Sequence, residues 1–236
     1  MGRMKNTVNN IKYSFVSQIV SLVLKFVSRT VFLHTLGIAY SGVSGLYSNV
    51  LGMLTLSEMG FSSAMTFALY KPMAEQDTEK LKSLMGLYKR FYRIVAAIIA
   101  ILGICLVPFL KFIINGGEEI GFDKLTLYYL IFLLDTVLSY FVSYKYSMVY
   151  AEQKGYLYTR ISTVFNTILV LLQIVTLIAF KNYVLYLCLG VIVGLVQKVY
   201  LINYLNKRYP FLTDENIKPV DKKDFNEIKK NVKKRT

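Results

Sequence analysis

Six apolar runs, at about 13–36, 43–70, 91–114, 125–149, 161–180 and 184–205, take up most of this 236-residue chain. Each is long enough to cross a hydrocarbon layer, which needs roughly 20 helical residues. In lipid the backbone must satisfy its own N–H and C=O groups, so runs of this kind become helices. The expected fold is an all-α membrane protein, with a six-transmembrane-helix bundle over residues 1–206. Only 18% of residues are charged, too few for a soluble chain of this size, and nothing between the runs could form a soluble domain. Residues 207–236 contain Pro210 and Pro219, are basic, and read as a cytoplasmic tail or linker.

The net charge of +14 would suggest nucleic acid in a soluble chain. Here it reads as orientation, and no nucleic-acid partner is expected. Of 28 Lys and Arg, 23 fall on the side that carries the N-terminus, three on the other, and two inside the first run. The positive-inside rule then puts both termini in the cytoplasm of a multi-pass cell-membrane protein.

The two cations inside the first run are Lys25 and Arg29, one helical turn apart. A charge at membrane depth costs at least about 2.5 kcal/mol, so it is rarely idle. On a helical wheel both fall in a polar stripe with Ser14, Ser17, Gln18, Ser21 and Ser28. Ser44, Ser48, Thr55, Ser62 and Thr66 form a second stripe, bordered by Glu58. A third aligns Tyr128, Asp135, Ser139, Tyr146 and Tyr150, and a fourth Thr159, Ser162, Asn166 and Gln173. Four polar faces imply one shared hydrated interior. Lys25 and Arg29 are the candidate substrate-binding cations. Glu58 and Asp135 are the candidate coupling groups or counter-charges. Ser21, Ser28, Ser48, Thr55, Asn166 and Gln173 are the candidate polar lining. A serine in a membrane helix more often serves packing, and salt bridges that only fix helix positions compete with a substrate role for the charges.

Other features set local expectations. Lys71-Pro72 should end the second span, with 73–84 a separate interfacial helix, and Pro108 should kink the third span. Asn115 to Glu119 forms an acidic outer loop, and Lys181-Asn182-Tyr183 joins the last two spans as a hairpin. The tyrosines suggest an interfacial belt. Cys105 and Cys188 read as small core residues, His34 as an interfacial residue, and Gly190-x-x-x-Gly194 as a packing motif. There is no phosphate-binding glycine loop followed by Lys-Ser/Thr, no HExxH and no nucleophile elbow. The chain is therefore read as neither an ATPase nor another enzyme, without a cofactor or metal.

Residues 25–93 carry an ordered set of landmarks: Arg29 and the apolar run to Gly37, Tyr40-x-Gly42-x-x-Gly45-Leu46-Tyr47, Leu56-Ser57-Glu58-x-Gly60, and Leu69-Tyr70-Lys71-Pro72. This order resembles the start of bacterial polysaccharide-exporter flippases of the Wzx type, within the multidrug/oligosaccharidyl-lipid/polysaccharide exporter superfamily. The resemblance implies export of a lipid-linked oligosaccharide, commonly on undecaprenyl pyrophosphate, by alternating access between two bundles. It also implies that Lys25 and Arg29 are cavity cations. Such proteins have twelve to fourteen spans, so this chain corresponds to the N-terminal half. The implied partners are membrane lipid, a lipid-linked oligosaccharide, and either a second copy or a separate C-terminal half. The alternatives are an ion-coupled multidrug exporter of the same superfamily and a truncated, non-functional or scaffolding half-transporter.

Overall fold

A computed structural model describes residues 2–56, 59–114 and 120–213. Regular structure among them is all helical: α1 (Gly2–Leu36), α2 (Ile38–Leu56), α3 (Met59–Glu75), α4 (Thr78–Leu106), α5 (Leu110–Ile113), α6 (Phe122–Ala151), α7 (Gly155–Phe180) and α8 (Tyr183–Arg208). Single 3₁₀ turns lie at Val107–Phe109 and Pro210–Thr213. Five helical stretches are long and apolar enough to cross a membrane: Met4–Leu36, Thr78–Ile113, Phe122–Ala151, Gly155–Phe180 and Tyr183–Arg208. This is a multi-pass α-helical membrane protein. The expected second span, 43–70, falls on α2 and α3, on either side of residues 57–58.

Several boundaries differ from expectation, each for a local reason. α1 begins ahead of the first apolar run and is unbroken from Gly2 to Leu36. Pro72 does not end its helix, and α3 continues to Glu75. The chain turns instead at Gln76, in the left-handed region at φ 56. Asp77 then starts α4 by accepting the Lys80 N–H at 2.9 Å, which satisfies one of the free donors of a helix N-terminus. Residues 73–84 are thus the end of α3, a turn and the first turns of α4, not a separate interfacial helix. At Pro108 the helix does break, into a 3₁₀ turn between α4 and α5. The acidic loop at 115–119 lies outside the described residues, as do Glu58 and most of the basic tail.

The core follows the seam between α4 and α6, with α3 packed beside it. Gly103 lets these helices meet: a Cβ there would stand 2.4 Å from Leu133 Cδ1. Tyr129 spans the same seam and donates its hydroxyl to Gly103 O at 3.0 Å. Tyr88 donates to Met65 O, and Tyr47 to Leu125 O at 2.8 Å. Tyr47, Tyr88 and Tyr129 are fully buried. These three tyrosines are therefore core residues, not part of an interfacial belt, because each phenol finds a backbone carbonyl inside the bundle. Cys105 is exposed and Cys188 half-buried, so Cys105 is not the core residue expected of it.

α1 stands on the other side of the molecule and packs chiefly along α7. Asn10 ties their ends. Its amide donates to Gln153 O at 2.9 Å, and its carbonyl accepts the Tyr156 N–H at 2.7 Å. Further along, Thr163 donates to Ser17 Oγ at 2.7 Å. α7 and α8 form the expected hairpin. Lys181 turns in the left-handed region, and Asn182 caps α8 by accepting the N–H groups of Val184 and Leu185. The assumed tail begins late: α8 continues to Arg208, and Tyr209 is buried against the core.

Candidate functional site

A cavity of about 670 Å³ opens between α1, α2, α6, α7 and α8. α1 contributes Lys25, Ser28, Arg29 and Phe32, and α2 contributes Ser41, Ser44, Gly45 and Ser48. Ile131, Phe132 and Asp135 come from α6, and Asn166 and Gln173 from α7. Tyr186, Gly190 and Val191 close the α8 side. The 3.6-residue period explains the selection. Lys25 and Arg29 are one turn apart on α1, Ser44 and Ser48 one turn apart on α2, and Asn166 and Gln173 two turns apart on α7.

The cavity brings together Lys25, Arg29, Asp135, Ser28, Ser48, Asn166 and Gln173 of the sequence-predicted set. It does not include Ser21, which lies half-buried on α1, or Thr55, whose hydroxyl donates to Gly52 O of its own helix at 2.8 Å. Glu58 lies outside the described residues. His34 is exposed near the end of α1 and takes no part.

Asp135 requires a correction. It does not neutralise Lys25 or Arg29, because its Oδ1 lies 2.8 Å from Lys198 Nζ on α8. Gly194 borders this pair, and a Cβ there would approach Lys198 Nζ to 3.3 Å and Asp135 Oδ1 to 3.4 Å. The Gly190-x-x-x-Gly194 motif thus leaves room for a salt bridge as well as for helix packing. Among the described residues Lys25 and Arg29 have no ion-pair partner, and both are exposed. Lys25, Arg29 and Asp135 are the charged residues of the lining among the described residues, and Asp135 is already matched, so the balance of these groups is cationic.

The remaining polar groups are held in place. Gln173 donates its amide to Tyr186 O at 3.1 Å, which fixes α7 against α8. Ser44 donates to Tyr40 O at 2.9 Å, which leaves the Tyr183 hydroxyl to donate to Ser44 Oγ at 2.5 Å. Tyr183 stands in an aromatic cluster with Phe32, Tyr40, Tyr128 and Tyr186, of which Phe32 and Tyr186 line the cavity. Sequence reasoning missed Ser41, Tyr186 and the pairing of Asp135 with Lys198. One signal was present for the pairing: Gly190, Gly194 and Lys198 repeat at i+4, and that spacing aims a lysine along a face of small residues. Tyr186 carried no such signal, because nothing in its sequence neighbourhood sets it apart from the other tyrosines.

At the end of the bundle that carries the N-terminus, a second polar cluster is closed. Arg208 donates from Nη2 to Glu152 Oε2 at 2.8 Å and from Nε to the same oxygen at 3.1 Å. The Tyr209 hydroxyl donates to Glu152 Oε2 at 2.5 Å, and Lys154 pairs with Oε1. Burial pushes the Glu152 carboxyl up, but hydrogen bonds from Lys154, Tyr209 and Arg208 outweigh it and hold the group below its ordinary range. All of its acceptor capacity is used within the chain. No family model, no curated protein and no solved structure matches this chain.

Proposed function

We propose that this chain forms one bundle of a flippase. It moves a polyprenyl-pyrophosphate-linked oligosaccharide across the cytoplasmic membrane for cell-surface polysaccharide assembly, by alternating access and without ATP hydrolysis. The observation that carries this reading is the charge balance of the cavity. Lys25 and Arg29 line it without a carboxylate partner among the described residues, while Asp135 is bound to Lys198. The resemblance over residues 25–93 supports the same reading.

A pyrophosphate offers several acceptor oxygens. Arg29 can meet two of them with its planar fork, and Lys25 adds a point charge one turn away. Ser41, Ser48 and Asn166 supply neutral groups for sugar hydroxyls. The polyprenyl tail has no need of the cavity and stays in hydrocarbon. The excess of Lys and Arg on the side of the N-terminus supports cytoplasmic termini. A six-span bundle supplies one wall of the pathway, and a second bundle, either another copy or a separate C-terminal half, supplies the other.

The test is surface glycan in cells that depend on this chain. Lys25→Ala with Arg29→Ala lowers export at least about tenfold, the loss of one or more charge-assisted hydrogen bonds, while membrane levels stay constant. Normal export from this double variant sinks the reading. If wild type instead gives resistance to cationic drugs that Asp135→Asn removes, the chain is an ion-coupled drug exporter.

A further inference from the structure

We infer a second anion site, for a phosphate-class group, at the end of the bundle that carries the N-terminus. A cavity of about 440 Å³ lies there between α4, α6 and α8, under the final 3₁₀ turn. Lys82 and Lys89 reach it from α4, Tyr144 and Lys145 from α6, Asn206 from α8, and Thr213 from the turn. Among the described residues, three cations and no carboxylate line it.

Lys145 makes the case sharpest. It is 7% exposed, and its ammonium meets the amide oxygen of Asn206 at 2.6 Å. That acceptor is neutral. A buried cation with no counter-charge among the described residues is expensive, and like charges beside it add to the cost. Lys89, two turns from Lys82 on the same face of α4, has no ion pair among the described residues. Lys82 is already partnered, 3.2 Å from Glu79 Oε1, so Lys145 and Lys89 are the cations that call for an anion.

A phosphate-class group fits this arrangement better than a carboxylate. It carries up to two negative charges and three or more acceptor oxygens, against ammonium groups with three donors each. The Tyr144 hydroxyl and the Asn206 amide N–H are on hand as neutral donors, whereas the Thr213 hydroxyl already donates to Pro210 O at 2.7 Å. The site also sits at the ends of spanning helices, the level at which basic pockets meet lipid phosphates. A free phosphate and a phospholipid head group share this chemistry. The central cavity contributes none of these residues, so the inference does not depend on the transport reading.

The experiment uses the purified full chain and follows thermal unfolding by circular dichroism of the helices. In one arm inorganic phosphate replaces chloride in detergent at matched ionic strength. In the other, the chain sits in nanodiscs of phosphatidylcholine with or without phosphatidylglycerol. The expected result is a saturable rise in the midpoint. A rise with inorganic phosphate identifies the free ion, and one confined to the lipid arm identifies the head group. Lys89→Gln keeps its fold and abolishes the rise or weakens the apparent affinity about tenfold, and Lys145→Met does the same if it folds. The inference is overturned if neither arm gives a saturable rise, or if Lys89→Gln responds as wild type does. It is also overturned if a rise appears only after Asp214→Asn with Glu215→Gln, which would assign the lysines to the chain's own carboxylates.

Discussion

The two sides of α6 are built on opposite principles. Toward α4 the helix presents Tyr129, Leu133 and Tyr140, all buried, and Gly103 leaves the space that Leu133 fills. Toward α1 and α8 it presents Asp135, paired with Lys198, at the edge of a cavity in which Lys25 and Arg29 have no ion-pair partner among the described residues. The first side leaves no room for a ligand and gives tyrosine hydroxyls backbone partners. The second leaves space and unspent charge. The contrast separates residues that hold the bundle from residues free to act on something else, although both sides are polar at intervals in sequence.

That contrast can be broken first at its tight side. Gly103→Leu drives a side chain into Leu133 and separates the Tyr129 hydroxyl from its acceptor. Overpacking and one lost hydrogen bond together cost about 2–4 kcal/mol. The unfolding midpoint in detergent should fall clearly, while the cavity variant Lys25→Ala with Arg29→Ala should leave it unchanged. Equal destabilisation by both would erase the distinction.

A smaller effect is expected at the border between the two sides. Asp135→Asn leaves the Lys198 ammonium, 13% exposed, without its carboxylate. Because the carboxylate itself is 46% exposed, the cost is about 1–2 kcal/mol, well short of a fully buried pair. Adding Lys198→Met should restore most of the loss, and a thermal double-mutant cycle reads the coupling directly.

The smallest effect belongs to Glu152. Its folded value is depressed below the ordinary 4.5, so its stabilisation is complete above that value and fades as pH falls through the lower folded one. Wild type should lose stability on acidification below about pH 4.5 partly through this group. Glu152→Gln should flatten that part of the curve. A curve of unchanged shape would show that the cluster does not tie the ends of α6 and α8.

Legibility differed by feature. Hydrophobic run length predicted six spans; five coincide with the spanning stretches, while the second, 43–70, falls on two shorter helices, α2 and α3. The wheel placed Lys25 and Arg29 on a face that lines a cavity with polar groups of other helices. Proline was a poorer guide. Pro72 stays inside α3, because the helix continues one more turn to a left-handed Gln76. Ser21 and Thr55 share their stripes with cavity residues yet lie outside the cavity. Both lie on the same helix face as the cavity residues and differ from them in depth along the axis, which a wheel does not record and only the packed bundle decides.

Run length and charge bias are properties of local sequence, and by themselves they determined a helical, multi-pass membrane protein with a cationic turn in its first span. Partnership is not local. That Asp135 meets Lys198 and not Lys25, that Gly103 receives Leu133, and that Lys82, Lys89 and Lys145 converge from two helices was decided only by the tertiary structure. Helix azimuth and register fix these meetings, and both are set by the packing of the whole bundle, not by any one helix.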